Sequence, residues 1–440
     1  MQSGDTIFAV SSGVGRAAVC VIRISGSRTQ YVLDELCDGM RFTPRLMQLC
    51  TLQDPHTGHF LDHALVVFFE GPKSFTGEDS AELHVHGSIA VKKAILKTLS
   101  SLEGCRPAER GEFTQRAFLN RKMDLAQVEG LADLIDSETE QQRLQAVRQM
   151  DGILGSHVSR WRELLLKALA LIEGSLDFSD EEDVSDDCYV QLIALLEPLQ
   201  QELNILLNNR AGERIRESFS IVLAGKPNTG KSSLLNLLSR RDVAIVSDIP
   251  GTTRDTLEVV CDLDGYPVIF TDTAGLRDSD DQIEVEGVNR AKMKMASADL
   301  VLWLISPDTF SEEDLVIHDP VSVIVVATKS DLGEVDCKTD LAISVKESSN
   351  IDQLLDLIRS RIENESDHEG AVLTRERHRH AVVKALESLD RALMLINNDG
   401  PQELVGEDIR LTARSLSMLT GEVGVEDILG ELFSNFCIGK

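Results

Sequence analysis

Residues 219–238 read FSIVLAGKPNTGKSSLLNLL, and this stretch decides the fold of the middle of the chain. An apolar run, Phe219–Ala224, enters a glycine-containing loop that ends in Lys231 and Ser232, and a helical pattern follows at Ser233–Leu238. In such a loop the backbone N–H groups surround phosphates, a lysine meets the β and γ phosphates, and a hydroxyl holds magnesium. The stretch therefore predicts a strand, a phosphate-binding loop and a helix.

Two motifs downstream supply further groups that a nucleoside triphosphate site needs. Asp272 follows the apolar run Val268–Phe270, where it can join the magnesium shell, and Gly275 offers an N–H to the γ phosphate. Between the loop and Asp272, residues 251–255 read GTTRD, in which Thr253 offers a hydroxyl to magnesium. The order of the three motifs indicates a P-loop nucleotide hydrolase.

The base is expected to be read by residues 328–331, TKSD, which follow the apolar run Ser322–Ala327. Asp331 can accept hydrogen bonds from guanine N1–H and N2–H, a donor pair that adenine lacks. Ser344 is expected to help hold the base. Thr328 stands where asparagine is usual, and we expect the shorter side chain to reach the phosphate loop less well and to weaken GTP binding. The predicted GTP-contacting residues are Asn228, Thr229, Gly230, Lys231, Ser232, Ser233, Ser247, Thr252, Thr253, Asp272, Thr273, Ala274, Gly275, Thr328, Lys329, Asp331 and Ser344.

The position after the motif at 272–275, where many small GTPases carry the residue that orients water, does not hold such a residue in this chain. Many small GTPases carry a glutamine directly after the motif at 272–275, but this chain has Leu276 there, which cannot orient water. Glu284 is the candidate base. The alternative is a solvated residue in the first turn of a helix, where an acidic side chain is favourable.

Length and composition predict a soluble, multidomain, cytoplasmic protein. The 440 residues suggest two or three domains, and the net charge of −29 argues against a broad nucleic-acid-binding surface. The apolar stretch Leu164–Ile172 contains Lys167 and is too short to span a bilayer, and the first ten residues do not resemble a signal peptide. The eight cysteines form no CxxC pair and are expected to be free thiols.

The pattern of apolar residues predicts a multidomain α/β fold with a Ras-like P-loop G domain inserted in a discontinuous α-helical domain. The N-terminal part is expected to have strands at Ala17–Ile24, Ala64–Phe69 and Ala81–His86 and a helix at Ile89–Leu99. Helices are expected over Leu125–Arg210, interrupted by an acidic loop at Asp177–Asp187, and over Thr374–Lys440. Between them, a parallel sheet is expected from strands at Phe219–Ala224, Val268–Phe270, Leu300–Ile305, Ser322–Ala327 and Ala342–Val345. The predicted domains are 1–118, 119–216, 217–364 and 365–440.

Over nearly its whole length the chain resembles the MnmE (TrmE) family of tRNA modification GTPases. Its C-terminal string FCIGK, on a chain that also carries GTPase motifs, is the most specific part of the resemblance. The matching strings are RISG at 23–26, SFTGED at 74–79, GEFT at 111–114, RAFLN at 116–120, Lys122, DLAQ at 124–127, GTTRD at 251–255, DTAGLR at 272–277 and FCIGK at 436–440.

The resemblance implies a folate-binding-like N-terminal α/β domain that takes 5-formyltetrahydrofolate or a related one-carbon folate and forms a homodimer. It implies a partner, an FAD-dependent MnmG-like protein in a heterotetramer, and modification of the wobble uridine of certain tRNAs at C5. It also implies a potassium ion beside GTP and a water-orienting role for Glu284. The residues implied for folate are Arg23, Glu82, Lys122 and Lys440, and those for potassium are Asn228, Ser247, Ile249 and Thr252.

Several alternatives stay open at this stage. The protein could be a regulatory GTP switch in ribosome assembly or signalling, without chemistry on RNA. The basic residues 375–380, RERHRH, offer one surface for RNA or a partner. Cys437 is either a nucleophile toward uridine C6 or a small buried residue in a docked tail. His84 and His86 share a strand face but have no evident third metal ligand, so we expect core or interface residues.

Overall fold

The architecture comes from a computed structural model that describes residues 4–13, 15–177, 184–241, 244, 258–272, 293–311, 322–364, 371–423, 426–434, 436 and 438–439. Its contacts divide the chain into two compact units, Met1–Ala132 with Ser417–Lys440, and Asp133–Leu416. Residues 417–440 therefore group with the N-terminal unit. The finer division into four domains stays a prediction.

The strands are β1 (Thr6–Val10), β2 (Ala17–Ser25), β3 (Gln48–Gln53), β4 (Phe60–Phe69), β5 (Ser80–Gly87), β6 (Cys105–Pro107), β7 (Phe219–Ala224), β8 (Glu258–Leu263), β9 (Tyr266–Asp272), β10 (Leu300–Ile305), β11 (Ser322–Ala327) and β12 (Leu341–Ala342). The helices are α1 (Thr29–Leu36), α2 (Ile89–Ser101), α3 (Glu112–Leu119), α4 (Leu125–Asp136), α5 (Glu140–Met150), α6 (Ile153–Asp177), α7 (Val184–Asn208), α8 (Ala211–Glu217), α9 (Lys231–Leu238), α10 (Ile351–Asn364), α11 (Glu376–Asn397), α12 (Gln402–Ser417) and α13 (Glu426–Ser434).

The N-terminal unit is built on a six-stranded sheet in the order β3-β4-β5-β2-β1-β6. Neighbouring strands are antiparallel except β1 and β6, which are parallel. Helices α1 and α2 pack their buried residues against the inward side chains of β2 to β5 in one hydrophobic core. The predicted strands in β2, β4 and β5 and the predicted helix α2 are confirmed, whereas β1, β3 and β6 were not predicted.

The second sheet, in the unit Asp133–Leu416, has the order β12-β11-β10-β7-β9-β8. The five predicted strands pair in parallel as expected, whereas β8, which was not predicted, adds an antiparallel edge beside β9. The cause is a two-residue turn, Asp264-Gly265, in which both residues have positive φ, 51° and 95°. Asp-Gly is the sequence that such a hairpin turn prefers.

Two predicted boundaries need correction. The strand expected at Ala342–Val345 is only Leu341–Ala342, because Ser344 turns back to exchange backbone hydrogen bonds with Ser349. The acidic loop expected at Asp177–Asp187 overlaps helices at both ends, because α6 extends to Asp177 and α7 begins at Val184, and residues 178–183 lie outside the described ones. Acidic residues suit the first turn of a helix, where the macrodipole is positive.

The remaining helices follow the predicted regions, α4 to α8 before the second sheet and α11 to α13 after α10. Helix α5 begins with a reciprocal capping box between Thr139 and Gln142. Among the helices that the structure describes, none combines the length and the apolar character that crossing a bilayer requires. The seven cysteines in the described residues are free thiols, and Cys437 lies outside those residues.

Candidate functional sites

The loop between β7 and α9 needs glycine at two positions. Gly225 has φ +135°, and a Cβ there would lie 2.2 Å from the Leu304 carbonyl oxygen. Gly230 caps α9 with φ +93°, a conformation that L side chains rarely adopt. The loop therefore packs directly against β10. The first residues of α9 lie at the centre of the loop.

Lys231 lies inside this loop and is buried. Its Nζ donates hydrogen bonds to the Gly225 and Lys226 carbonyl oxygens, each at 2.8 Å. These bonds hold the ammonium at the centre of the ring of backbone atoms, where a bound phosphate would meet it. The predicted cation is thus positioned before any ligand arrives.

Ser232 and Asp272 meet, although 40 positions separate them. The Ser232 hydroxyl donates to Asp272 Oδ2 at 2.6 Å, and Asp272 is fully buried at the end of β9. The strand pairing explains the meeting, because Asp272 lies beside Leu223 of β7, just before the loop. A hydroxyl and a carboxylate are the hard oxygen ligands that magnesium prefers.

The base loop corrects the expectation about Thr328. Its side chain does reach the phosphate loop, because the hydroxyl lies 2.6 Å from the Thr229 carbonyl oxygen. The same hydroxyl lies 3.0 Å from the Ile305 carbonyl oxygen, and both contacts are buried. Residue 328 can be short because Thr229 is itself buried against this loop. The expectation that the shorter threonine would reach the phosphate loop less well is therefore wrong, whereas the expected weakening of GTP binding stays a prediction.

Ser344 and Asp331, which were each predicted to contact the base, also contact one another. The Ser344 hydroxyl donates to Asp331 Oδ1 at 2.7 Å, and this bond is the main reason that the pKa of Asp331 lies below its usual value. The carboxylate therefore stays ionised and is held in one orientation. A charged, oriented carboxylate can accept the two N–H groups of a guanine edge.

Two of the other predicted residues lie at the surface of the phosphate loop and α9. Asn228 and Ser233 are exposed, and Asn228 has φ 66°. The predicted residues that lie outside the described ones are Ser247, Ile249, Thr252, Thr253, Thr273, Ala274, Gly275, Glu284, Cys437 and Lys440.

A second candidate site is a cavity of about 560 Å³ in the N-terminal unit. Arg23 and Glu82 lie side by side across β2 and β5, with Arg23 Nη2 at 3.0 Å from Glu82 Oε1. Lys122 also lines the cavity, so the structure brings three of the predicted side chains together. The full lining comprises Arg23, Arg45, Phe69, Lys73, Ser74, Phe75, Thr76, Ser80, Glu82 and Lys122.

Sequence reasoning named three of the ten lining residues, and four of the seven that it missed are cationic or aromatic. Arg45 and Lys73 add two cations, and Phe69 and Phe75 add two aromatic walls. The guanidinium of Arg23 lies 5.4 Å from the Phe75 ring centre, and that of Arg45 lies 5.7 Å from the Phe69 ring centre. Of these four residues, only Phe75 falls inside a string that matches the family, so no sequence pattern marked Arg45, Phe69 and Lys73.

A partly buried ionic network stabilises the loop that carries Ser74 to Thr76 through Glu78, which follows that loop. Arg116 donates to Glu78 at 3.0 Å and to Glu112 at 3.0 Å, and Arg106 makes two further bonds to Glu112. Burial opposes ionisation of Glu112, but these bonds outweigh it and hold its pKa below the usual value. The network gives Glu112 and Arg116 of the GEFT and RAFLN strings a structural explanation.

Comparison with known proteins identifies the family. Two family models match, the MnmE helical domain over residues 125–437 and the GTP-binding protein TrmE N-terminus over residues 6–122. The tRNA modification GTPase MnmE of Methylorubrum populi is 49% identical over 445 residues, covering 99% of this chain and 98% of that protein. The protein of the same name in Methylobacterium sp. (strain 4-46) is 51% identical over 444 residues, covering 99% and 100%. The chain belongs to the MnmE family. It is a GTP-hydrolysing enzyme.

In this MnmE-family chain, the basic residues 375–380 are largely engaged within the fold. Arg375 binds Asp133 at 2.7 Å and Arg379 binds Glu213 at 2.9 Å. His378 is fully buried and accepts the Thr374 N–H at 3.3 Å. Arg375, His378 and Arg379 therefore have internal partners, so these three side chains are not free to form the RNA or partner surface that the sequence offered as one possibility.

The C-terminal string characteristic of the MnmE resemblance lies against the N-terminal unit. Phe436 is buried in a cluster with Phe433 and Val128. The Gly439 carbonyl accepts the Ser11 hydroxyl at 2.9 Å, and a Cβ on Gly439 would lie 2.1 Å from the Val10 carbonyl oxygen. The residues on both sides of Cys437 are thus docked.

The two histidines of β5 do not form a metal site with their neighbours. His84 Nε2 lies 3.4 Å from Glu82, and His86 Nδ1 lies 2.8 Å from the buried Asp62. Among the described residues, no group of three or more potential metal ligands occurs. His84 lies on a partly buried sheet face, as expected, whereas the side chain of His86 is 70% exposed.

Proposed function

We propose that this chain is a potassium-stimulated GTPase that acts with an FAD-dependent, MnmG-like protein. Together they add a carboxymethylaminomethyl-type group at C5 of the wobble uridine of certain tRNAs in the cytoplasm. The observation that carries the proposal is the full-length identity of about half to proteins named tRNA modification GTPase. The presence of a cationic N-terminal cavity on the same chain supports it, because a GTP switch alone needs no such site.

In the proposed nucleotide site, Lys231 neutralises charge on the phosphates while Ser232, Thr253 and Asp272 surround magnesium. The 2.6 Å contact between Ser232 and Asp272 fits this role, since both offer oxygen atoms. Glu284 orients the attacking water. Glu284→Ala should then slow turnover and leave GTP binding intact, as measured by single-turnover hydrolysis and titration. Loss of binding would instead make Glu284 structural.

Potassium would provide positive charge near the phosphates, a role that an arginine finger has in other GTPases. Asn228 supports the assignment, because its exposed amide on the phosphate loop offers a carbonyl oxygen. The other proposed ligands are Ser247, Ile249 and Thr252. GTP hydrolysis should be faster in potassium than in sodium at equal ionic strength, and Asn228→Ala should erase the difference. Equal rates in both salts for the wild-type protein would contradict potassium dependence.

The N-terminal cavity is proposed to bind 5-formyltetrahydrofolate or a related one-carbon folate. The lining suits such a molecule, because Glu82 and Arg23 can pair with a polar heterocycle and Phe75 offers an aromatic face. Lys122 and the other exposed cations at the rim suit a carboxylate tail. Lys440 is proposed as a further contact. The folate would supply a one-carbon unit, and these side chains would bind and orient it.

The proposed homodimer forms through the N-terminal sheet. Leu49 and Leu65 are register partners on adjacent strands, and their side chains are exposed on the same face. Val19 is also exposed on that sheet. Apolar side chains that lie together on an open sheet face are typical of an interaction surface. Leu49→Lys should shift the sedimentation profile from dimer to monomer, and an unchanged dimer would contradict this surface.

The decisive test is nucleoside analysis of tRNA from cells that lack the gene. Missing modification at wobble uridine C5 would support the proposal, whereas normal nucleosides would favour the regulatory-switch alternative. The same assay separates the two roles of Cys437. Cys437→Ser should keep folate binding and GTP hydrolysis but abolish modification if the thiolate is a nucleophile. Normal modification would mean that Cys437 is part of a docked tail, the role that the contacts of Phe436 and Gly439 already favour.

A further inference from the structure

The segment after β10 contacts both loops of the nucleotide site. It leaves the sheet in a turn in which Ser306 is buried and its hydroxyl lies 2.8 Å from the Thr309 hydroxyl. On one side, Ser311 Oγ lies 2.6 Å from Lys226 Nζ of the phosphate loop. On the other side, Asp308 extends to the base loop. The motifs used above do not include any residue of this segment.

Asp308 forms an ion pair with Lys329, the second residue of the base loop. Asp308 Oδ2 lies 2.7 Å from Lys329 Nζ, and the side chains are 44% and 29% exposed. The hydrogen bond from Lys329 is the main cause that keeps the pKa of Asp308 below its usual value, and Ser306 adds to it. Asp308 is therefore ionised at neutral pH and available to hold the ammonium.

Each side chain that flanks the base position is held by a residue from another segment. Ser344 orients Asp331, and the Thr328 hydroxyl joins the base loop to the phosphate loop. Without Asp308, Lys329 would be the exception, because a lysine side chain has four rotatable bonds and loses considerable entropy when it is ordered. An ion pair that orders the lysine beforehand lowers the entropy cost at the moment of binding.

We propose that Asp308 is a positioning residue for GTP binding, which holds Lys329 extended so that its methylene stem lies ready beside the guanine ring. The proposal rests on the proposed role of residues 328–331 in reading the base. Asp308 acts through Lys329 and does not touch the nucleotide. Because the pair is partly exposed, removing it should weaken GTP binding by only about two- to five-fold.

A double-mutant cycle tests the proposal. The dissociation constants of GTP are measured for wild type, Asp308→Ala, Lys329→Ala and the double variant. Asp308→Ala should weaken binding in the wild-type background and have no further effect once Lys329 is alanine. It should raise KM without changing kcat, and the loss should shrink at high ionic strength. Asp336→Ala, which removes an exposed acid near the same loop, is the matched control.

The nucleotide ITP adds a second readout. It lacks only the 2-amino group that Asp331 is proposed to read, so Asp308→Ala should weaken GTP and ITP by the same factor. An equal loss in both Lys329 backgrounds, or no loss at all, would overturn the positioning role. If Lys329→Ala itself left GTP affinity unchanged, the base-loop assignment would fail instead. Asp308→Asn, which keeps the shape and removes the charge, gives the same comparison if the alanine variant does not fold.

Discussion

The phosphate loop and the N-terminal cavity differ in how their cations are held. In the nucleotide site, Lys231 is held by backbone carbonyls of its own loop, and Thr328 by carbonyls of two neighbouring segments. In the N-terminal cavity, side chains hold other side chains, as Arg23 does with Glu82. Ionised side chains of α3 stabilise the loop at residues 74–76 through their contact with Glu78.

This difference predicts how activity and stability respond to the loss of a side chain in each site. A backbone cradle survives the loss of any one side chain, so a substitution there removes chemistry and leaves the fold. A buried ionic network fails as a unit, because removing one partner leaves another buried charge uncompensated. Substitutions should therefore separate activity from stability in the nucleotide site and combine them around the N-terminal cavity.

The largest effect is expected for Lys231→Ala. Removing a cation from a transferring phosphoryl group should lower kcat for GTP by about three orders of magnitude. The melting temperature should change little. Lys231 contacts the Gly225 and Lys226 carbonyls, which belong to partly exposed residues, so water can reach these carbonyls once the side chain is absent. Hydrolysis assays and thermal melts measure both quantities. Lys226→Ala, on the same loop, is the control, and turnover of Lys231→Ala within a few-fold of wild type would refute the role.

The comparison predicts the opposite result for Arg116→Met. The side chain is 13% exposed and contacts Glu112, which is 3% exposed, so its loss should cost about 3 kcal/mol of unfolding free energy. GTP turnover at a temperature where the protein stays folded should be unchanged. Arg143→Met is the control, since its pair with Glu140 is about half exposed and should contribute far less to stability than the Arg116–Glu112 pair. Equal destabilisation by both variants would remove the contrast between the sites.

A smaller effect is expected at the rim of the N-terminal cavity. Lys122→Ala should weaken binding of 5-formyltetrahydrofolate by about ten-fold, the worth of one hydrogen bond to a charged group. Among the described residues its Nζ donates to the Pro72 carbonyl alone, so stability should hold. Calorimetric titration measures the affinity, with Lys97→Ala on the exposed side of α2 as the control. Unchanged affinity would place the carboxylate tail elsewhere.

The smallest effect concerns Thr328. Thr328→Val removes the hydroxyl from two buried carbonyls and should weaken GTP binding by about five-fold, or about 1 kcal/mol. Thr328→Asn should bring no gain, because the link that asparagine would provide already exists. Titration with GTP measures both variants. A clear tightening by Thr328→Asn would show that the threonine bridge is not an adequate substitute.

The nucleotide site was largely predictable because each of its motifs in the described residues is a short string that directly follows a strand. Once β7 and β9 are parallel neighbours, Ser232 and Asp272 must meet. The exception was Thr328, whose reach depends on how deeply Thr229 is buried. That depth comes from packing between β7, β10 and β11 and has no local pattern.

The N-terminal cavity was predictable only through family resemblance. Arg23, Arg45, Lys73 and Lys122 come from separate parts of the chain, and exposed cations are common on any protein surface. Only the sheet order, which places β2 beside β5 and not beside β3, brings Arg23 to Glu82. The same holds for the basic run at 375–380, whose internal partners became visible only in the fold.

By itself, the sequence determined the strand–loop–helix at residues 219–238, the motif proposed to read guanine and the order of helical and α/β regions. These follow from local backbone preferences and from the spacing of apolar residues, which act over a few positions. The tertiary structure alone decided the antiparallel edge at β8, the bridge from Thr328, the pairing of Asp308 with Lys329 and the lining of the N-terminal cavity. The reason is physical: each of these depends on distances between residues far apart in the chain, and such distances exist only after the core has packed.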